Sequence, residues 1–131
     1  DADVIITATN SYEPVLPNDR ELFKQKLIVA VGSFQPNMRE LPEAVYHETK
    51  YLLMDTDDAA LESGDIIIPL EKGWLQSAQV ATLADFIAKE KTIGEDETVI
   101  FKSTGSALFD AVSAAIVYEK VLQEGAGLSL T

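Results

Sequence analysis

The chain has 131 residues, enough for one domain around one hydrophobic core. Its 22 acidic and 10 basic side chains leave a net charge of −12, which repels phosphate backbones and anionic membranes and argues against nucleic-acid binding. The absence of cysteine removes disulfides, thiolate metal sites, iron–sulfur clusters and cysteine nucleophiles together, and no apolar run approaches the ~18 residues of a membrane span.

The chain opens with Val4-Ile5-Ile6, a short apolar run that turns polar at Thr7–Ser11. That pattern reads as a buried, central parallel strand entering a loop. A natural domain rarely starts on such a strand, so the chain is expected to be the later part of a longer one. Residues 19–26 are polar and suit a helical turn. Leu27–Val31 is a second buried strand, followed directly by Gly32-Ser33. Pro36 and Pro42 break the next stretch, which leaves Phe34–Leu41 as a loop. Glu43–Lys50 suits a short helix, and Tyr51–Met54 a third strand with Asp55 at its C-terminal end. Thr56 can cap a helix through Glu62, stopped by Gly64.

Ile66-Ile67-Ile68-Pro69 is a short apolar run of unassigned type, and Gly73 marks a turn. Ala78–Lys89 reads as an amphipathic helix with Val80, Leu83, Ala84 and Ile87 facing inward. Gly94–Glu97 is a loop, and Thr98–Phe101 is a fourth strand running into Lys102-Ser103-Thr104-Gly105. Ser106–Gln123 is the longest helix, ended by Gly125 and Gly127. Its polar residues Ser106, Asp110, Ser113 and Lys120 form one narrow stripe and the rest is apolar. A helix of that kind must be covered on more than one side, so it is expected to pack on another domain or subunit.

Strands alternating with helices imply an α/β fold with a doubly wound parallel sheet. In such sheets ligands bind at the carboxyl ends of the strands. The small polar stretches Thr7–Ser11, Gly32-Ser33 and Lys102–Gly105 all fall at those ends. Turn formation alone would also explain them.

Other chemistries lack their residues. The only G-x-G is Gly125-Ala126-Gly127, with no helix to follow, so the pyrophosphate-binding turn of a dinucleotide fold is missing. The single histidine, His47, lies on a polar helix beside Glu48 and reads as a solvated surface residue. Asp57-Asp58 and Glu95-Asp96-Glu97 match no calcium loop and read as helix-start and loop charges, so no metal site is expected. The acidic opening Asp1-Ala2-Asp3 is unlike a secretion signal, and the cytoplasm is the expected location.

Several segments are more specific. Residues 2–16, running from Ala2 through Thr7-Ala8-Thr9-Asn10-Ser11 to Leu16, resemble the mid-domain strand and loop of the ornithine cyclodeaminase/μ-crystallin family. Val31–Leu41 is similar to that family's G-x-x-x-P-x-x-x-E-L signature. Asp55, the Ala60–Ile68 stretch with Ser63-Gly64-Asp65, and Val99–Asp110 resemble its later landmarks in the same order.

The resemblance implies an NAD(P)-binding Rossmann domain, here only its second half. Residues 1–105 would belong to that domain, and 106–131 would pack against a substrate and dimerisation domain N-terminal to this chain. That absent domain would hold the catalytic residues. The implied activity of the full-length protein is NAD(P)H-dependent reduction of cyclic imino acids, as a homodimer. Ornithine cyclodeamination, or ligand binding with little catalysis as in μ-crystallin, are the alternatives. The choice of NAD or NADP would rest on residues outside this chain.

By the same resemblance, Thr7, Ala8 and Thr9 would lie against the cofactor's ribose and diphosphate, and Val31, Gly32 and Ser33 near the nicotinamide. Lys102, Ser103 and Gly105 would border the nicotinamide ribose or the substrate, although Ser103 could equally cap the last helix. Asp110 would be structural. Cyclodeaminases of the family carry an acid–base Asp two residues after the signature glycine. Here that residue is Phe34, which cannot carry a proton and either lines a substrate pocket or packs on the sheet edge.

Overall fold

A computed structural model describes residues 2–127. Five parallel strands form one sheet: β1 (Val4–Thr7), β2 (Leu27–Ala30), β3 (Thr49–Met54), β4 (Val80–Thr82) and β5 (Thr98–Lys102), in the spatial order β1-β2-β5-β3-β4. The helices are α1 (Glu43–Glu48), α2 (Ala59–Glu62), α3 (Gly64–Lys72), α4 (Leu83–Ala88) and α5 (Ala107–Glu124). A 3-10 turn at Arg20–Phe23 occupies the expected 19–26 segment, capped by Asp19. Among the described residues no helix is long and apolar enough to cross a membrane.

Strand alternation divides the apolar residues between two faces. Ile5, Ile28, Ile100 and Leu52 stand in register on one face. Phe23, Val45, Tyr46, Ile66 and Leu75 cover them, forming the main core. Val4, Leu27 and Val99, with Ile6, Val29 and Phe101, line the other face. There α4 covers only the β3–β5 half, through Phe86 against Leu53 and Val99. Val4, Ile6 and Leu27 stay exposed, although parallel sheets are ordinarily covered on both faces.

Four expectations need correction. First, β1 is parallel but is an outer strand among the described residues, with Ile6 exposed, rather than a central one. Second, Thr49 and Lys50 belong to β3, not to α1. A register shift between Thr49 and Tyr51 lets the strand start two residues early, and the Thr49 hydroxyl donates to Val45 O at 2.7 Å, closing the helix behind it. Third, the helix expected over 78–89 is split. Val80–Thr82 pairs with Leu52–Met54 as a fifth strand, and a short helix restarts from the Thr82 cap. That phase buries Phe86 and leaves Leu83, Ala84 and Ile87 exposed, the reverse of the expected inward face. Fourth, the helical turn before Ser63 is the single turn α2, with Asp58 rather than Thr56 at its cap position.

The apolar run Ile66–Pro69 lies inside α3, which Ser63 caps by accepting from Asp65 N. Pro69 lacks an N–H, so the Asp65 carbonyl has no partner within the helix. The buried Tyr46 hydroxyl donates to that carbonyl at 2.9 Å and satisfies it. α5 runs nearly as expected, from a Ser106 cap to a left-handed Gly125, and not one of its residues is buried.

Candidate functional site

Because every strand pair is parallel, the loops after β1, β2, β3 and β5 leave from one rim. Backbone bonds knit neighbouring loops there. Val31 N donates to Thr7 O at 2.9 Å, Ser103 N to Ala30 O at 3.1 Å, and Asp55 N to Lys102 O at 3.2 Å. Thr7, Gly32 and Ser103 are therefore gathered along one edge.

The contact between the first two loops is tight because Gly32 has no side chain. A Cβ there would stand 2.0 Å from Thr9 O and 2.3 Å from Thr9 N. The glycine thus admits the Thr9 backbone rather than leaving open space at that spot. Ala8, Thr9, Val31, Phe34 and Gly105 are exposed at the rim.

Three expected site residues are turned inward, Thr7 among them, its buried hydroxyl donating to Glu40 Oε2. The Ser33 hydroxyl is fully buried, donating to Met38 O and sharing a 2.8 Å hydrogen bond with Ser63 Oγ. The Lys102 side chain is also fully buried, its Nζ donating to Ala30 O at 3.2 Å and Ser103 O at 3.1 Å. All three side chains are spent within the protein, and none projects from the rim.

Beneath the rim lie two acidic residues that the sequence did not single out for a role. Two backbone bonds tie the segment ahead of α1 to residues 11–15, Arg39 N donating to Ser11 O at 3.1 Å and Val15 N to Glu40 O at 2.8 Å. This drives Glu40 into the interior, fully buried. Its Oε2 accepts from Thr7 Oγ1 at 3.0 Å and Gly32 N at 2.8 Å, and its Oε1 accepts from Thr9 N at 2.5 Å. Burial opposes its charge, but these donors outweigh burial and hold the carboxyl below the usual range.

Asp65, also fully buried, accepts at Oδ1 from Glu40 N at 2.9 Å and Leu41 N at 3.0 Å, while its Oδ2 has no partner. Burial, with the Glu40 charge adding to it, raises the Asp65 carboxyl against the pull of those amides and of Lys102. Burial likewise lowers the Lys102 ammonium, resisted by Asp65, Glu40 and Asp55. Acidic residues in polar loops ordinarily read as solvated. The one sequence signal for Glu40 was its fixed place in the G-x-x-x-P-x-x-x-E-L spacing.

Asp55, noted at the end of β3, staples the last loop. Its Oδ2 accepts from Ser103 Oγ at 2.6 Å and Gly105 N at 3.2 Å, and its Oδ1 from Thr56 N. Asp55 and Ser103 form the polar end of a concave pocket of about 440 Å³ whose walls are Leu83, Ala84, Ile87, Phe101 and Phe109. Phe34 does not line this pocket. Replacing Asp55 by alanine frees three donors in a partly exposed site where water can compensate, so we expect a loss of about 1 kcal/mol. Urea denaturation measures it, and a loss above about 3 kcal/mol would contradict this assignment of Asp55 as a loop staple.

The model of the ornithine cyclodeaminase/mu-crystallin family matches residues 1–125. The chain is 37% identical over 131 residues to a Delta(1)-pyrroline-2-carboxylate reductase of Bacillus cereus, covering 97% of this chain and 40% of that protein. It is 38% identical over 121 residues to ketimine reductase mu-crystallin of Mus musculus, covering 90% and 36%. Among solved structures, Thermococcus litoralis Delta(1)-pyrroline-2-carboxylate reductase in complex with NADH and L-proline is similar with a TM-score of 0.78 and 34% identity, over 98% of this chain and 41% of that one. The chain spans about two fifths of the length of these relatives. The parallel sheet, the ordered landmarks and the match over residues 1–125 together place the chain in the ornithine cyclodeaminase/mu-crystallin family.

Proposed function

We propose that the protein containing this chain reduces cyclic imino acids with a nicotinamide dinucleotide, NAD(H) or NADP(H), and that the present rim receives the nicotinamide end of that cofactor. The observation that carries this reading is the gathering of the loops after β1, β2 and β5 at one carboxyl-end rim. The donor set fits one end of the cofactor better than the other. The amides of Thr9, Gly32 and Gly105 are already taken by Glu40 and Asp55, which leaves few donors for a diphosphate. Ala8 and Val31 instead offer exposed apolar surface suited to a ring face and ribose carbons.

The cofactor, when bound, supplies a hydride to the carbon of a C=N bond. This chain's part is positional: Thr7–Thr9 and Val31–Gly32 form one wall, and Ser103–Gly105, at the start of α5, form the other. Ser33 and Lys102 contribute through the backbone and the buried network rather than by direct side-chain contact.

Phe34, exposed at the rim, cannot carry protons as the cyclodeaminases' aspartate does, which favours imine reduction over ornithine cyclodeamination. Residues 1–105 belong to the dinucleotide-binding domain, and 106–131 pack against a substrate and dimerisation domain. The bare apolar circumference of α5 supports that division. The whole protein works as a cytoplasmic homodimer.

The full-length protein is expected to oxidise NADH or NADPH with Δ1-pyrroline-2-carboxylate or Δ1-piperideine-2-carboxylate. Absence of cofactor oxidation with every cyclic imine would refute the proposal. Ammonia release from ornithine would move the assignment to the cyclodeaminase reaction.

A further inference from the structure

We propose that Glu40 is a positioning residue that locks the loop after β1 to the loop after β2, so that the two meet the cofactor as one rigid wall. The inference rests on the cofactor reading given above and adds a residue that touches no ligand.

Three features of the geometry carry it. The carboxylate binds both loops at once: Thr7 Oγ1 and Thr9 N from the first, Gly32 N from the second. It is fully buried, so water cannot replace it as an acceptor. Its own place is set from below, because Asp65 Oδ1 holds the backbone N–H groups of Glu40 and Leu41. A fold that needed only stability could fill this space with apolar side chains. Here a charge is instead retained under the two loops whose outer surfaces, at Ala8, Thr9 and Val31, form the rim.

Glutamine is the sharpest probe. Of the three donors, a glutamine side chain could keep the two on the Oε2 side while its amide would face Thr9 N–H, donor against donor. The Glu40→Gln variant of the full-length protein is therefore expected to remain folded. Amide hydrogen exchange without ligand should speed up roughly tenfold or more at Thr9, with a smaller rise at Gly32. NADH affinity should fall about tenfold, while kcat at saturating NADH falls much less. Affinity of the wild-type protein should also weaken as acid protonates Glu40, and that acid limb should vanish in the variant.

Unchanged exchange at Thr9, or changed exchange with unchanged NADH affinity, would overturn the proposal. If Glu40→Gln does not fold, Thr7→Val decides, since it removes one donor at the site. Wild-type exchange and affinity in that variant would also overturn the clamp. Wild-type protein that binds no NADH would instead refute the cofactor reading and the clamp with it. Wild-type binding matched by Glu40→Gln refutes the clamp alone.

Discussion

Replacing Gly32 by alanine is expected to destabilise the full-length protein by about 3 kcal/mol or more. The new Cβ would stand 2.0 Å from Thr9 O, 2.3 Å from Thr9 N and 2.5 Å from Glu40 Oε1. Two of those atoms are backbone, so no side-chain rotation relieves the overlap. The loops must separate, and separation breaks the Glu40 bonds to Thr9 and Gly32. Gly105 supplies the contrast. It has a φ of +87° and nothing within 4 Å of a built Cβ, so alanine there meets backbone strain alone, roughly 1–2 kcal/mol. Guanidinium denaturation of both variants checks the pair. Equal losses at the two glycines would mean that the close approach of Thr9 to Gly32 does not exist in solution.

The second large effect is expected at Asp65. Alanine there leaves the buried Glu40 and Leu41 N–H groups without an acceptor and removes one of the charges facing Lys102, a loss of about 3–5 kcal/mol. Asparagine keeps the Oδ1 acceptor and costs less, and its pH dependence has a definite sign. Burial raises the Asp65 carboxyl, so the native state binds that proton more tightly than the unfolded chain. Wild-type stability therefore loses ground as pH rises from 3.8, the ordinary aspartate value, through the raised native value.

Asp65→Asn lacks that titration, so its deficit against wild type should shrink across the same window. Glu40, held below 4.5, works in the opposite direction: its contribution is present above 4.5 and is lost as pH falls through the lowered native value. Denaturation midpoints of wild type and Asp65→Asn from pH 4 to 8 measure the slope difference. A deficit that grows with pH would show that Asp65 is not the raised acid.

The main strands were legible because strands of a parallel sheet carry apolar side chains on both faces and so leave unbroken apolar runs, as at Leu27–Ala30 and Val99–Phe101. The long helix was legible from its ends, a Ser106 cap and a left-handed Gly125. β4 was not legible. Three residues beside the free edge of β3 became a strand through pairing, although their pattern also suited a helix. Ile66–Pro69 was ambiguous for a related reason: a proline inside a helix looks like a stop until Tyr46 is seen to satisfy the carbonyl it frees.

The site divides along the same line. The sequence alone determined that small polar loops end the strands of a parallel sheet, because alternation of strand and helix forces those ends onto one rim. Only the tertiary structure decided which side chains face that rim. Ser33 and Lys102 turn inward, and Glu40 and Asp65 lie beneath it, because burial of a polar group depends on partners distant in sequence. Thr7 meets Glu40 across 33 positions, and Lys102 reaches Ala30 across 72, separations that no local pattern records.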